Sequence, residues 1–158
     1  MKSSSIVYVA ILSVAITLVS APVLAQSSAT GVTGAVEGIF PGGTTFNGVP
    51  LRGLESGEGV FFASDGSATG VFHTRLLGTS LLGQPQDITV EGEVRRGLVA
   101  ADGSATLSGI AVVDMGDGTL PLLGVPFTVT ASSRGLLLTL GTSTLPSATL
   151  VAGSMTIE

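Results

Sequence analysis

The chain has 158 residues, of which only 11% are charged, and it contains no cysteine and no tryptophan. Its formal charge is −5 at pH 7, and lysine occurs once, at Lys2. An acidic chain with scattered arginines has no basic surface for nucleic acid, so we exclude nucleic acid as a partner. Without cysteine the domain has no disulfides, and its core must carry the stability.

The first 25 residues have the pattern of an export signal. Lys2 supplies the positive charge, an apolar stretch follows at residues 6–19, and Val23-Leu24-Ala25 is a small-residue cleavage pattern. A membrane span needs about 20 apolar residues, so this stretch is short for one. We predict a secretory signal peptide at 1–25, a single β domain at 26–158, a secreted or periplasmic location and no transmembrane span after signal removal. The alternative is an uncleaved N-terminal anchor.

Beyond the signal, the pattern of residues is typical of an all-β protein. Apolar runs of four to eight residues alternate with glycine and threonine, whereas amphipathic helical patterns are missing. We predict an antiparallel up-and-down meander of eight to nine strands, closed into a barrel because closure removes free edges, with a two-sheet β-sandwich as the alternative. The predicted strands are residues 31–40, 57–63, 67–76, 87–95, 98–101, 104–114, 125–131 and 136–140, with a last one from 147.

The pentapeptide Asp-Gly-Ser-Ala-Thr occurs twice, at Asp65–Thr69 and Asp102–Thr106. Each copy lies between two strand-like apolar runs, and Asp-Gly in that position predicts a hairpin. Residues 41–50 hold two prolines and three glycines and are predicted to be a long loop. In residues 87–95, apolar side chains and glycine alternate with polar ones, which predicts a strand with one face in the core and one in water.

From Ile88 onward the chain resembles a group of small secreted bacterial β-proteins of unknown function. The resemblance covers about the last 70 residues, and the group is thought to adopt a lipocalin-like (calycin-like) barrel. It therefore implies such a barrel and adds no catalytic residue. The matching stretches are Val90-Glu91-Gly92-Glu93-Val94, then residues 102–109, then Phe127-Thr128-Val129-Thr130, and finally residues 148–157, where Ala148 and Met155 replace the group's glycine and isoleucine.

Few residues suggest chemistry. His73 is the only histidine, so a zinc or copper site lacks its ligands, while general acid–base work by His73, Arg75 or Glu91 is a weak catalytic hypothesis. The alternative is an exposed strand residue beside an arginine. Two carboxylate pairs, Glu55 with Glu58 and Glu91 with Glu93, could suit a glycosidase, against the simpler interpretation of a solvated strand face.

Asp114 and Asp117 form a weak calcium hypothesis. They lie in a glycine-rich segment, but the spacing and the closing glutamate of an EF-hand are missing, and turn chemistry explains the same residues without an ion. We therefore predict no metal site and no cofactor.

Three functional hypotheses remain. The leading one is a secreted non-enzymatic β-domain with a structural or binding role, and its best-specified version carries a small apolar ligand in a barrel lumen. Small residues expected to point inward would leave room for that ligand: Gly92, Gly109, Ala111 and Gly153. The second is a barrel enzyme with a lumenal acid or base. The third is a surface or matrix protein that self-associates through apolar edges.

Overall fold

In the computed structural model, which describes residues 31–158, those residues form ten antiparallel strands and no helix, and so no helix that could span a membrane. The predicted all-β antiparallel meander is confirmed. The count is ten because two strands of two residues each add to the predicted set, while the strands predicted at 87–95 and 98–101 form one continuous strand. The predicted signal peptide and the tail at 26–30 lie outside the described residues. The strands are β1 (Gly31–Ile39), β2 (Thr45–Phe46), β3 (Val49–Phe62), β4 (Ser67–Gly78), β5 (Ile88–Val99), β6 (Ala105–Asp114), β7 (Leu122–Ser132), β8 (Gly135–Leu140), β9 (Ser143–Thr144) and β10 (Ala148–Ile157).

The strands belong to one ring-like sheet. Each strand from β3 to β8 pairs with the next in the chain, β10 pairs with β8, and β1 pairs with both β10 and β3. The pairings therefore return to their starting point. The link between β8 and β10 is the shortest in this ring, since only Ala148 with Leu136 and Thr149 with Gly135 are paired.

Alternation along the strands separates an inner apolar face from an outer polar one. In β5, Ile88, Val90 and Val94 are buried, whereas Glu91 and Glu93 are exposed, as the sequence predicts. Burial of such side chains supplies most of the driving force for folding, because each removes apolar surface from water. The largest fully buried side chains are Phe72, Leu54, Leu76, Ile88, Leu107, Leu136, Leu138, Val32, Val60, Val90, Val94 and Val113.

The two Asp-Gly-Ser-Ala-Thr copies form the same turn. In each, the aspartate Oδ1 accepts from the serine amide at 2.9 Å and from its hydroxyl, as in Asp65 with Ser67. Gly66 and Gly103 have φ of 81° and 80°, which glycine adopts without steric cost. The repeated motif therefore specifies hairpins between β3 and β4 and between β5 and β6. In the meander, these turns lie at one end of the ring, called the turn end, and residues 79–87 and 115–121 lie at the other, called the loop end.

The predicted loop at 41–50 contains a further hairpin. Asn47 and Gly48 have φ of 47° and 84°, and they join β2 to β3 with Phe46 opposite Val49. Asn-Gly is the preferred pair for a two-residue hairpin, so the signal was present in the sequence. The prolines at the two ends of the segment made it look like a loop.

Candidate functional site

The three weak catalytic candidates lie on the outer face of the ring. His73, Arg75 and Glu91 are all exposed, because their positions in β4 and β5 alternate with buried residues. Glu91 is the register partner of His73 across β4 and β5. The hypothesis of a lumenal acid or base needed these side chains inside the ring, and the structure places them outside it.

Arg75 is the centre of an ionic row on this outer face. Its Nε and Nη2 donate to Glu55 Oε2 at 3.1 and 2.6 Å, and its Nη1 lies 3.7 Å from Asp87 Oδ2. A cleft of about 570 Å³ runs beside the row, and His73 and Glu37 are among its lining residues. The row is open to water, so it orders the surface without holding a desolvated catalytic group.

A second polar group, formed by Glu58, Ser56 and Thr74, lies on the inner face, and the sequence pointed only to Glu58, as a partner of Glu55. The Glu58 side chain is only 8% exposed, and its Oε2 accepts from the Ser56 hydroxyl at 3.3 Å. Thr74 donates to Ser56 Oγ at 2.7 Å. Within residues 31–158, Glu58 Oε1 is buried and has no hydrogen-bond partner. Burial raises the pKa of Glu58 to about 7, although the Ser56 hydrogen bond opposes the shift.

The orientation of Glu58 corrects one predicted carboxylate pair. Glu55 and Glu58 are three residues apart, and side chains three apart on a strand point to opposite faces. Glu55 accordingly meets Arg75 outside, while Glu58 lies inside. They do not flank a common site as glycosidase carboxylates do. The useful signal was the period of two that Glu58 shares with Leu54 and Val60, both buried.

The space expected for an apolar ligand is occupied by a phenylalanine ring. A Cβ on Gly92 would lie 2.7 Å from the Phe127 ring. A Cβ on Gly109 would first meet the backbone carbonyl of Glu93 on β5 and would lie 3.0 Å from the same ring. Phe127 stacks on Phe72 with ring centroids 5.3 Å apart. The glycines therefore make room for the protein's own core. Of the other two residues expected to make room, Ala111 is buried within this core and Gly153 is exposed on β10.

The two calcium candidates stabilise turns. Asp114 Oδ1 accepts from the Gly116 amide at 2.9 Å, and Asp117 Oδ1 accepts from the Thr119 amide and hydroxyl at 3.0 and 2.7 Å. The Thr119 bonds lower the pKa of Asp117. Over residues 31–158, no group of three or more acidic or histidine side chains is placed to hold a metal ion.

The least complete part of the ring is β10. Its residues 149–157 pair with β1, but beyond Thr149 no other described strand pairs with its second edge. Val151, Ala152, Gly153, Ser154 and Thr156 are exposed. A cavity of about 570 Å³ lies along this edge, between β10 and the turn residues at 103, 132 and 133. The ring therefore has an open strand edge with free space beside it.

Comparison with known proteins returns no relative: no family model, no curated protein and no solved structure matches the chain. The resemblance to small secreted β-proteins stays a prediction.

Proposed function

We propose that this chain is an exported, non-enzymatic β-domain with a structural role, and that two copies associate by pairing the open edges of β10. The observation that supports this proposal is the edge at residues 151–157, which has a strand partner on one side only among the described residues. An unpaired edge presents a row of backbone donors and acceptors, which is a template for another strand.

The composition of this edge favours pairing. Residues 151–157 read Val-Ala-Gly-Ser-Met-Thr-Ile and include no charge and no proline, which are two of the devices that protect an edge strand. The bulge opposite Glu37 and Gly38, and Gly153 with a φ of 85°, fall at the beginning of the segment, so regular pairing would start at Ser154. A second copy brings the same edge, and antiparallel pairing about a two-fold axis joins the two sheets.

Self-association explains more of the surface than a ligand-carrying lumen does. Phe127 packs against Gly92 and Gly109, so these two residues do not support the carrier hypothesis. The cavity beside β10, by contrast, lies where an added strand would run. His73, Arg75 and Glu91, the candidates of the enzyme hypothesis, all lie on the outer face, and the enclosed carboxylate is that of Glu58.

The decisive experiment compares two variants, one with a lysine on the open edge of β10 and one with a lysine on the neighbouring strand β1. Thr156 and Thr33 are register partners on β10 and β1, and both are exposed, but Thr33 has strands on both sides. Light scattering at increasing concentration should show the wild-type chain and Thr33→Lys reaching twice the monomer mass, and Thr156→Lys remaining monomeric. A monomer at every concentration, or loss of the dimer in both variants, would overturn the proposal.

Engineered cysteines give an independent measurement, because the chain has no cysteine of its own. Ser154→Cys on the open edge should form a covalent dimer on mild oxidation, and Ala152→Cys and Thr156→Cys locate the register of pairing. Thr149→Cys is the matched control, since Thr149 is exposed on the same strand but pairs with both β1 and β8. Equal cross-linking of Ser154→Cys and Thr149→Cys would show random collision and contradict edge pairing.

A further inference from the structure

Two loops at the loop end of the ring, together with the beginning of β7, expose leucines to water. Leu81 and Leu82 are 94% and 88% exposed, and Leu120 and Leu123 are 89% and 77% exposed. The loops meet at their bases, where Gln86 Nε2 donates to the Met115 carbonyl at 3.1 Å. Exposed apolar residues that occur singly need no explanation, but a group of four, three in adjoining loops and Leu123 at the beginning of β7, marks an interaction surface.

The backbone conformation of the turn that carries Leu81 and Leu82 does not depend on leucine. Gly83 N donates to Ser80 O at 2.9 Å, and Ser80 N donates to Gln84 O at 2.8 Å. The same two bonds form the turn at residues 100–104, where Ala101 and Asp102 occupy the positions of Leu81 and Leu82. The backbone geometry is thus repeated with polar and with apolar tips, so the leucines have another role.

From this arrangement we propose that the loop end inserts shallowly into a lipid surface of zwitterionic headgroups, with Leu81, Leu82, Leu120 and Leu123 entering the interface. The leucines protrude from two tips, which suits a deformable interface that needs no matching pocket. Backbone groups that enter the hydrocarbon must be hydrogen-bonded. The amides of Ser80, Gly83 and Gln84 are bonded within their turn, whereas no described bond engages those of Leu81 and Leu82, so insertion stops at the headgroup level, where these two amides stay hydrated.

Charge selects the type of lipid. Residues 79–86 contain no ionisable side chain, and residues 115–124 contain only Asp117, which is engaged by Thr119. The chain has no lysine after Lys2 and is acidic overall, so an anionic bilayer repels it. Binding to a neutral surface therefore depends on buried apolar area rather than on electrostatic attraction.

Flotation with vesicles tests the proposal. The full chain should float with phosphatidylcholine vesicles, float less when phosphatidylglycerol is added, and recover part of that loss in high salt. The double variants Leu81→Ser/Leu82→Ser and Leu120→Ser/Leu123→Ser should each lower the partition coefficient about tenfold or more. Leu98→Ser is the control, because Leu98 is an exposed leucine near the turn end. Failure to float, or an equal loss with Leu98→Ser, would overturn the proposal.

A fluorescent probe at equivalent turn positions separates lipid insertion from other contacts. A polarity-sensitive dye on Leu82→Cys should shift to the blue with phosphatidylcholine vesicles, whereas the same dye on Asp102→Cys should not. A blue shift without vesicles that grows with protein concentration would mean that a second copy covers the leucines. If only a protein partner shifts the dye, the lipid proposal fails. The monomeric variant Thr156→Lys should still float, so the test is independent of edge pairing.

Discussion

The two faces of β3 and β4 place their acidic residues in opposite environments. On the outer face, Glu55 is half-exposed and forms an ion pair with Arg75. On the inner face, Glu58 is 8% exposed and has hydroxyl neighbours, with Ser56 as its hydrogen-bond donor and no described cation beside it. Three residues of sequence separate a solvated carboxylate from a desolvated one. The strand period, rather than the local composition, thus decides the chemistry of each side chain.

This difference implies a scale of energies. When an exposed ion pair forms, the two charges give up hydration by water and gain a mutual attraction that water screens. The net contribution of the pair to the free energy of unfolding is therefore below about 1 kcal/mol. Side chains on the inner face are buried away from water. A substitution there loses transfer free energy and packing contacts and lowers the free energy of unfolding by about 2–5 kcal/mol. Substitutions of matched type on the two faces should therefore differ severalfold in their effect on the free energy of unfolding.

The largest effect is expected at the stacked phenylalanines. Phe127→Ala removes a ring that packs on Phe72 and on Gly92, and we expect it to lower the free energy of unfolding by about 3–5 kcal/mol. Phe61→Ala is the outer-face control, since Phe61 is 72% exposed, and should change it by less than about 0.5 kcal/mol. Urea unfolding measures both. A comparable loss in Phe61→Ala would mean that the outer face is covered.

The next effect is a pH dependence caused by Glu58. Its pKa is about 7 in the fold against an ordinary 4.5, so the fold favours the protonated form. Stability is therefore highest below pH 4.5 as far as this group is concerned, and it falls by about 3 kcal/mol as the pH rises to 7. Urea midpoints across this range measure the slope, which should vanish in Glu58→Gln and persist in Glu55→Gln. A slope unchanged in Glu58→Gln would assign it to another group.

Much of the fold could be predicted from the sequence because its signals are local. The Asp-Gly turns at Asp65 and Asp102 and the alternation in β5 each act within a few residues, and the structure shows both. The Asn47-Gly48 hairpin is equally local but lies between two prolines, which favoured a loop interpretation.

The remaining features depend on distant neighbours. The open edge of β10 exists because β8 provides only two paired residues, and no pattern within residues 148–157 shows where a neighbouring strand ends. The small residues at Gly92 and Gly109 predicted interior space correctly, but only the packing reveals that Phe127 fills it. Glu58 is an intermediate case, since its burial follows from the period of two once β3 is known to begin at Val49.

Two glycine-to-alanine substitutions, one on each face, test what the addition of a single methyl group does to the stability of the fold. Gly92→Ala places its Cβ 2.7 Å from the buried, stacked Phe127 ring, and we expect a loss of about 1–3 kcal/mol. A Cβ on Gly59 meets no atom within 4 Å, so Gly59→Ala should stabilise the fold by about 0.5 kcal/mol through the unfolded chain. Thermal unfolding resolves opposite signs. The same sign for both would show that Phe127 can move aside.

The smallest effect is expected for the outer ion pair. A double-mutant cycle with Arg75→Ala and Glu55→Ala should give a coupling free energy below about 1 kcal/mol that decreases as salt is added, because both side chains are almost half exposed. Asp87, 3.7 Å from Arg75, keeps the guanidinium partly paired in Glu55→Ala and reduces the coupling further. A salt-insensitive coupling as large as the Glu58 effect would mean that this row is shielded from water in solution. Because no described residue covers it, that shielding would have to come from a bound partner on the outer face of β3 and β4.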